Sequence, residues 1–76
     1  MKYCQLRAND VLLRDGKPIF VVLECNPENN VFRWLSLLNK NIGKVGSADF
    51  EYTKMWDEDL FCSYDVVLRG NKEIVV

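Results

Sequence analysis

The 76-residue chain predicts a single small, mostly β domain spanning residues 1–76. Three observations point there. The segments Asp10 to Val21 (DVLLRDGKPIFV) and Asp65 to Val76 (DVVLRGNKEIVV) match at seven of twelve positions, 55 residues apart. At the middle of each lies a two-residue turn signal, Asp15-Gly16 in one and Gly70-Asn71 in the other, suited to type I′ and type II′ hairpin turns. β-Branched residues crowd the arms on either side, as a pleated, half-buried surface prefers. Each copy is expected to form a tight β-hairpin, so the echo reads as one set of physical constraints met twice, with duplication as the other explanation.

In chain order, the first hairpin carries Pro18 just after its turn, where a residue without an N–H suits a strand start or edge. The middle of the chain allows two structures. Asn26-Pro27-Glu28-Asn29-Asn30 makes a good hairpin loop, with Pro at the second turn position and an Asn able to take the left-handed conformation. VFRWLSLL then returns as a strand along IFVVLEC, and Asn39-Lys40-Asn41 turns the chain into a short strand, IGKV. Alternatively, Asn26 caps a helix over about 27–40, with Val31, Trp34, Leu35, Leu38 and Ile42 at helical spacing and Gly43 able to close the C-terminus. The strand is the preferred expectation, and it leaves apolar residues on both faces: Phe32, Trp34 and Leu38 on one, Val31, Leu35 and Leu37 on the other. Beyond it, FEYTKMW alternates Phe50, Tyr52 and Trp56 with Glu51, Thr53 and Met55, a period of two that predicts a further strand with one aromatic face. Asp57-Glu58-Asp59 reads as a solvated loop, and LFCSY leads into the last hairpin.

This succession of hairpin, long returning strand, short strand, tight turn and final strand resembles the small Src-homology-3-like barrels, which include KOW and Tudor modules and many tiny phage and bacterial proteins. The residues that carry the resemblance are DVLLRDGKPIFVVLE, the loop NPENN, VFRWLSLL and IGKVGSADFEYT, covering about residues 9 to 56. It implies a five-stranded barrel with an added C-terminal β-hairpin, the α+β arrangement with a helix at 27–40 being the alternative. Where peptide-binding relatives have a turn proline this chain has Gly46, and their acidic-aromatic loop motif is missing, so proline-rich recognition is not implied. Methyl-lysine readers cage a cation with aromatics. Trp34, Phe50, Tyr52 and Trp56 are the contributors this chain offers, and core packing is the expected job of most of them.

Catalytic signatures are absent from the sequence. With no histidine, the commonest general base and metal ligand is lacking. Cys4, Cys25 and Cys62 are odd in number and form no C-x-x-C pair, which suits free thiols in a reducing, cytoplasmic setting. There is no phosphate-cradling glycine loop and no calcium loop. Neither a signal peptide nor a membrane span is expected, and no cofactor or metal.

A net charge of −1 conceals an uneven distribution: +3 over residues 1–48, −5 over residues 49–65 and +1 over the rest. An acidic segment of that kind steers a basic partner. The expected role is therefore a non-enzymatic protein-interaction module, and the resemblance extends this to a small phage-type factor that binds and modulates a larger host protein. The expected contact residues are Tyr52, Trp56, Asp57, Glu58 and Asp59, the acids steering and the aromatics anchoring. The alternative is a KOW- or Tudor-like nucleic-acid-binding module using Arg33, Lys40 and Lys44, with Trp34 or Phe32 for stacking. The strand-like Ile74-Val75-Val76 offers an edge for a partner strand or a homodimer.

Overall fold

The computed structural model describes residues 1–76, the side chain of Asn39 excepted. Six strands form one antiparallel sheet: β1 (Val11–Arg14), β2 (Lys17–Asn26), β3 (Val31–Ser36), β4 (Val45–Ala48), β5 (Val66–Arg69) and β6 (Lys72–Val75). Their order is β4-β3-β2-β1-β5-β6. The sheet is open, with β4 and β6 as its edges. One helix, α1 (Phe50–Glu58), and three 3-10 turns, Tyr3–Gln5, Asn39–Asn41 and Leu60–Cys62, complete the chain. No helix among the described residues is long and apolar enough to cross a membrane.

Both expected hairpins form. Asp15 and Gly16 take φ of 53° and 77°, the pair of left-handed residues a type I′ turn demands, and Arg14 pairs with Lys17 across them. Residues 27–40 hold strand β3 and not a helix. The loop before it closes with the Asn30 N–H donating to the Pro27 carbonyl at 3.3 Å, and Asn30 is left-handed at φ 57°.

The two hairpins are joined by a ladder that explains their likeness. Val11 pairs with Leu68, Leu12 with Val67 and Leu13 with Val66. Adding 55 to a residue of the first hairpin gives its counterpart in the second, so Leu12 faces its own counterpart while Val11 and Leu13 face each other's. The hairpins are thus related by a local two-fold axis between Leu12 and Val67, both fully buried.

Two expectations are corrected. The predicted strand IGKV shifts along the chain: β4 is Val45–Ala48, and the Gly43 and Lys44 amides are occupied in the turn that precedes it. The predicted strand FEYTKMW is the helix α1. Asp49 caps its first turn, its carboxylate accepting the Tyr52 N–H at 2.9 Å, and Glu51 adds a favourable charge at the positive helix end. The residues α1 turns inward are Phe50, Thr53 and Trp56, the first and last half-buried and Thr53 buried, spaced by three along one helix face. The strand reading places Thr53 opposite the aromatic face. Thr53 is fully buried on the inward face of α1, its hydroxyl satisfied by donating to the Phe50 carbonyl at 2.9 Å.

One sheet face is covered by α1 and the N-terminal turn. Ile74, Val67, Leu12, Phe20 and Ser36 form a row across that face, with Val22-Trp34-Gly46 and Cys25-Phe32-Ala48 beside it. The opposite face carries its own row, Glu73-Leu68-Val11-Val21-Leu35-Val45, and the last hairpin extends the sheet beside β1 instead of folding over it. Tyr3 is the centre of the covered side. It is fully buried, edge-on to Phe32, Trp56 and Tyr64 at 5.3–5.5 Å between ring centroids. A chain this short buries little aliphatic core, and edge-to-face ring contacts add about 0.5–1.5 kcal/mol per pair beyond burial.

Candidate functional site

Eight of the nine aromatic residues belong to one connected network of ring contacts. The ninth is Phe61. It stands 85% exposed beside Leu60 at 86%, in the 3-10 turn that follows α1. Met55, on α1, is 64% exposed.

The backbone that carries Leu60 and Phe61 is held at every residue. The Asp59 carboxylate accepts the Phe61 N–H at 2.9 Å, and the Ser63 hydroxyl donates to the Leu60 carbonyl at 2.8 Å. The Arg14 guanidinium donates to the Phe61 carbonyl, and the Tyr3 hydroxyl to the Cys62 carbonyl at 2.6 Å. Two large apolar side chains therefore project into solvent from a hydrogen-bonded turn. Rigid presentation lowers the ordering cost of binding, and fixed apolar side chains make effective anchors.

Just before them come Asp57, Glu58 and Asp59, at the end of α1 where the helix dipole is negative and no basic residue lies in the last turn. Asp57 and Asp59 both have structural partners: Asp57 Oδ1 accepts the Tyr3 N–H at 3.0 Å, and Asp59 caps the 3-10 turn. Glu58 is exposed. The acidic segment does not form one patch. Asp49 and Glu51 lie at the start of α1, Asp57 to Asp59 at its end, and Asp65 accepts the Asp15 N–H at 3.1 Å beside the first hairpin turn.

Tyr52 and Trp56 lie one turn apart on α1 with ring centroids 5.3 Å apart. Together with Trp34, Ser47, Ala48 and Asp49 they line an open groove of about 490 Å³ between α1 and β4. Tyr52 is half exposed, whereas Trp56 packs edge-on against Trp34 and Tyr3 and belongs largely to the core. Four of the five expected contact residues thus lie on α1 with Asp59 as its C-cap, but they divide between this groove and the far end of the helix.

The alternative set is less coherent. Arg33 pairs with Glu24 and Ser47, while Trp34 pairs with Val22 and Gly46, so these neighbours point to opposite faces of the sheet. Trp34 and Lys44 line a second groove with Phe20 and Leu38, and Lys40 sits in the 3-10 turn Asn39–Asn41. Of the four aromatics offered as a cage, Phe50 packs edge-on against Phe32 and stays out of the first groove.

Burial pushes the Cys25 and Cys62 thiols up from their ordinary range, with Cys4 and Asp59 respectively adding to the effect. Both therefore stay protonated near neutral pH, the less nucleophilic form. No group of three metal-ligating side chains occurs among the described residues.

Sequence reasoning missed Leu60, Phe61 and Met55. The available signal was an apolar Leu-Phe pair directly after three carboxylates, in a stretch with neither strand nor helix periodicity. Fold and surface together define a small mostly β domain with a protruding apolar turn at the acidic end of its helix. Comparison with protein-family models, curated proteins and solved structures finds no match to this chain.

Proposed function

We propose that the protein is a non-enzymatic interaction module that docks on a larger protein through α1 and the turn Leu60–Cys62. The observation that carries this is the pair Leu60 and Phe61, almost fully exposed on a turn whose backbone takes four hydrogen bonds, two of them from Tyr3 and Arg14 across the fold. Leu60 and Phe61 enter an apolar pocket on the partner, and Asp57, Glu58 and Asp59 steer toward basic residues around that pocket. The order β5-β1-β2-β3-β4, with β6 added outside, supports a kinship with the Src-homology-3-like type, although the sheet is open where a closed five-stranded barrel was expected and α1 takes the place of that barrel's final strand. Capture from nuclease-treated lysates tests the function. A stoichiometric protein partner is expected with the native chain and not with the double variant Leu60→Ser, Phe61→Ser. Recovery of nucleic acid alone, released steeply by salt, would favour the KOW- or Tudor-like alternative instead.

A further inference from the structure

We propose that the uncovered face of the sheet is a contact between two copies of this chain. The row Leu68-Val11-Val21-Leu35-Val45 crosses five neighbouring strands on that face. None of the five is buried, whereas Val67, Leu12 and Val22, the chain neighbours of the first three, are 0% exposed on the face that α1 covers. Val66 and Leu13 pair in a second row beside it, and Val75, 81% exposed, continues that row onto β6. Charges stand at the margins: Glu73 ends the first row on β6, while Glu24 and Arg33 face each other beyond its other half. An apolar interior with a polar rim is the anatomy of a protein contact.

The face is complementary to itself. Leu68-Val11-Val21-Leu35 reads the same from either end, and its centre lies between β1 and β2. A two-fold axis parallel to the strands, midway between two stacked sheets, lays Val11 of one copy over Val21 of the other and Leu68 over Leu35, so the contact closes on itself. The same axis carries Glu73 of each copy to the β3–β4 end of the other, where Arg33 is exposed on the contact face. Arg33 makes no ion pair in its own chain among the described residues, so the rims match in charge. Six strands about 4.8 Å apart span about 24 Å, and two rows with their side chains cover about 15–20 Å along the strands, so each copy offers on the order of 400–500 Å². The total, about 1,000 Å², lies at the small end of specific interfaces and makes a reversible dimer, half-formed at on the order of 100 μM. Because α1 packs on the opposite face, the contact is independent of the docking function and leaves the helix free in both copies.

Sedimentation equilibrium from about 10 μM to about 1 mM, with methyl NMR spectra over the same range, tests this. The mass should rise from monomer to dimer, and the methyl signals of Val11, Val21, Leu35 and Leu68 should shift with it. The double variant Val11→Thr, Val21→Thr keeps the β-branched shape, and its hydroxyls stay hydrated in the monomer but lose water without gaining partners in the dimer. Association should weaken about tenfold with the circular dichroism unchanged. Glu73→Lys, at the exposed end of the row, brings like charges together and should weaken the dimer several-fold with no change in the apolar contact. Monomer mass at every concentration, association undiminished by both changes, or shifts confined to the β6 edge or to Leu60 and Phe61 would overturn the proposal. The double variant Leu60→Ser, Phe61→Ser keeps the two claims apart. It should dimerise as the native chain does, so a dimer that forms while capture fails counts against docking and not against the sheet contact.

Discussion

Asp10 is 1% exposed and carries the one ion pair among the described residues. Its carboxylate takes two hydrogen bonds from the Arg69 guanidinium, at 3.1 and 2.8 Å, and one from the Arg7 N–H at 2.8 Å. Burial alone would raise this carboxyl, but the Arg69 guanidinium and the Arg7 amide hold it below its ordinary value of 3.8. A carboxyl lowered by folding contributes stability that is complete above its unfolded pKa and is lost as pH falls through the folded one. Asp10→Asn is therefore expected to destabilise the protein at neutral pH by about 1–3 kcal/mol, with the deficit closing below about pH 4. Urea unfolding of both proteins across that range checks it. Burial moves Tyr3 and Tyr64 the other way, upward, so their contribution holds below pH 10.0 and fades as pH rises beyond it. Gly46 makes a second test at this scale. A Cβ there would lie 2.1 Å from Trp34 Cζ2, since the indole rests against the bare backbone. Gly46→Ala should displace that ring, costing about 1–3 kcal/mol and shifting the tryptophan fluorescence.

At the scale of elements, what was legible followed from local turn chemistry. Asp15-Gly16 and Gly70-Asn71 specify their geometry within four residues, so both hairpins could be read directly, whereas the Pro27–Asn30 loop only favoured β3 over the helix that the same residues also allowed. Helix α1 was misread because two periods coexist in FEYTKMW. Aromatics alternate at two, but burial follows three, and the deciding residue is Thr53, whose polarity is hidden by its hydroxyl bond to the preceding turn. The signal for the helix was present in Asp49 and Glu51. Asp49→Ala should lower stability by about 1 kcal/mol, which thermal unfolding reads, while Asp49→Asn should be nearly neutral. The turn Leu60–Cys62 was illegible because two of the bonds that hold its backbone come from Arg14 and Tyr3, far away in the sequence. Removing the first of these tests that dependence. Arg14→Met should speed amide exchange in residues 60–63 and weaken partner capture while leaving the unfolding midpoint within a few degrees.

Across the whole molecule, the sequence echo becomes a local two-fold axis, and the places where the symmetry fails are informative. Asp10 pairs with Arg69, but their counterparts Asp65 and Arg14 do not pair: Asp65 takes the Asp15 amide, and Arg14 is drawn to the Phe61 carbonyl. The residue that breaks the symmetry is the one that holds the exposed apolar turn. Eight aromatics pack together to stabilise a domain with few residues to spend on a core, and the ninth is left in water. The most direct test places a photo-crosslinking phenylalanine analogue at position 61 and, as a control, at Lys72 on the tip of the second hairpin. One protein partner should crosslink at 61 and not at 72, with its yield reduced when Asp57, Glu58 and Asp59 are replaced together by the corresponding amides. Equal crosslinking at both positions, or none at 61 under conditions where the folded chain captures a partner, would contradict docking through this turn.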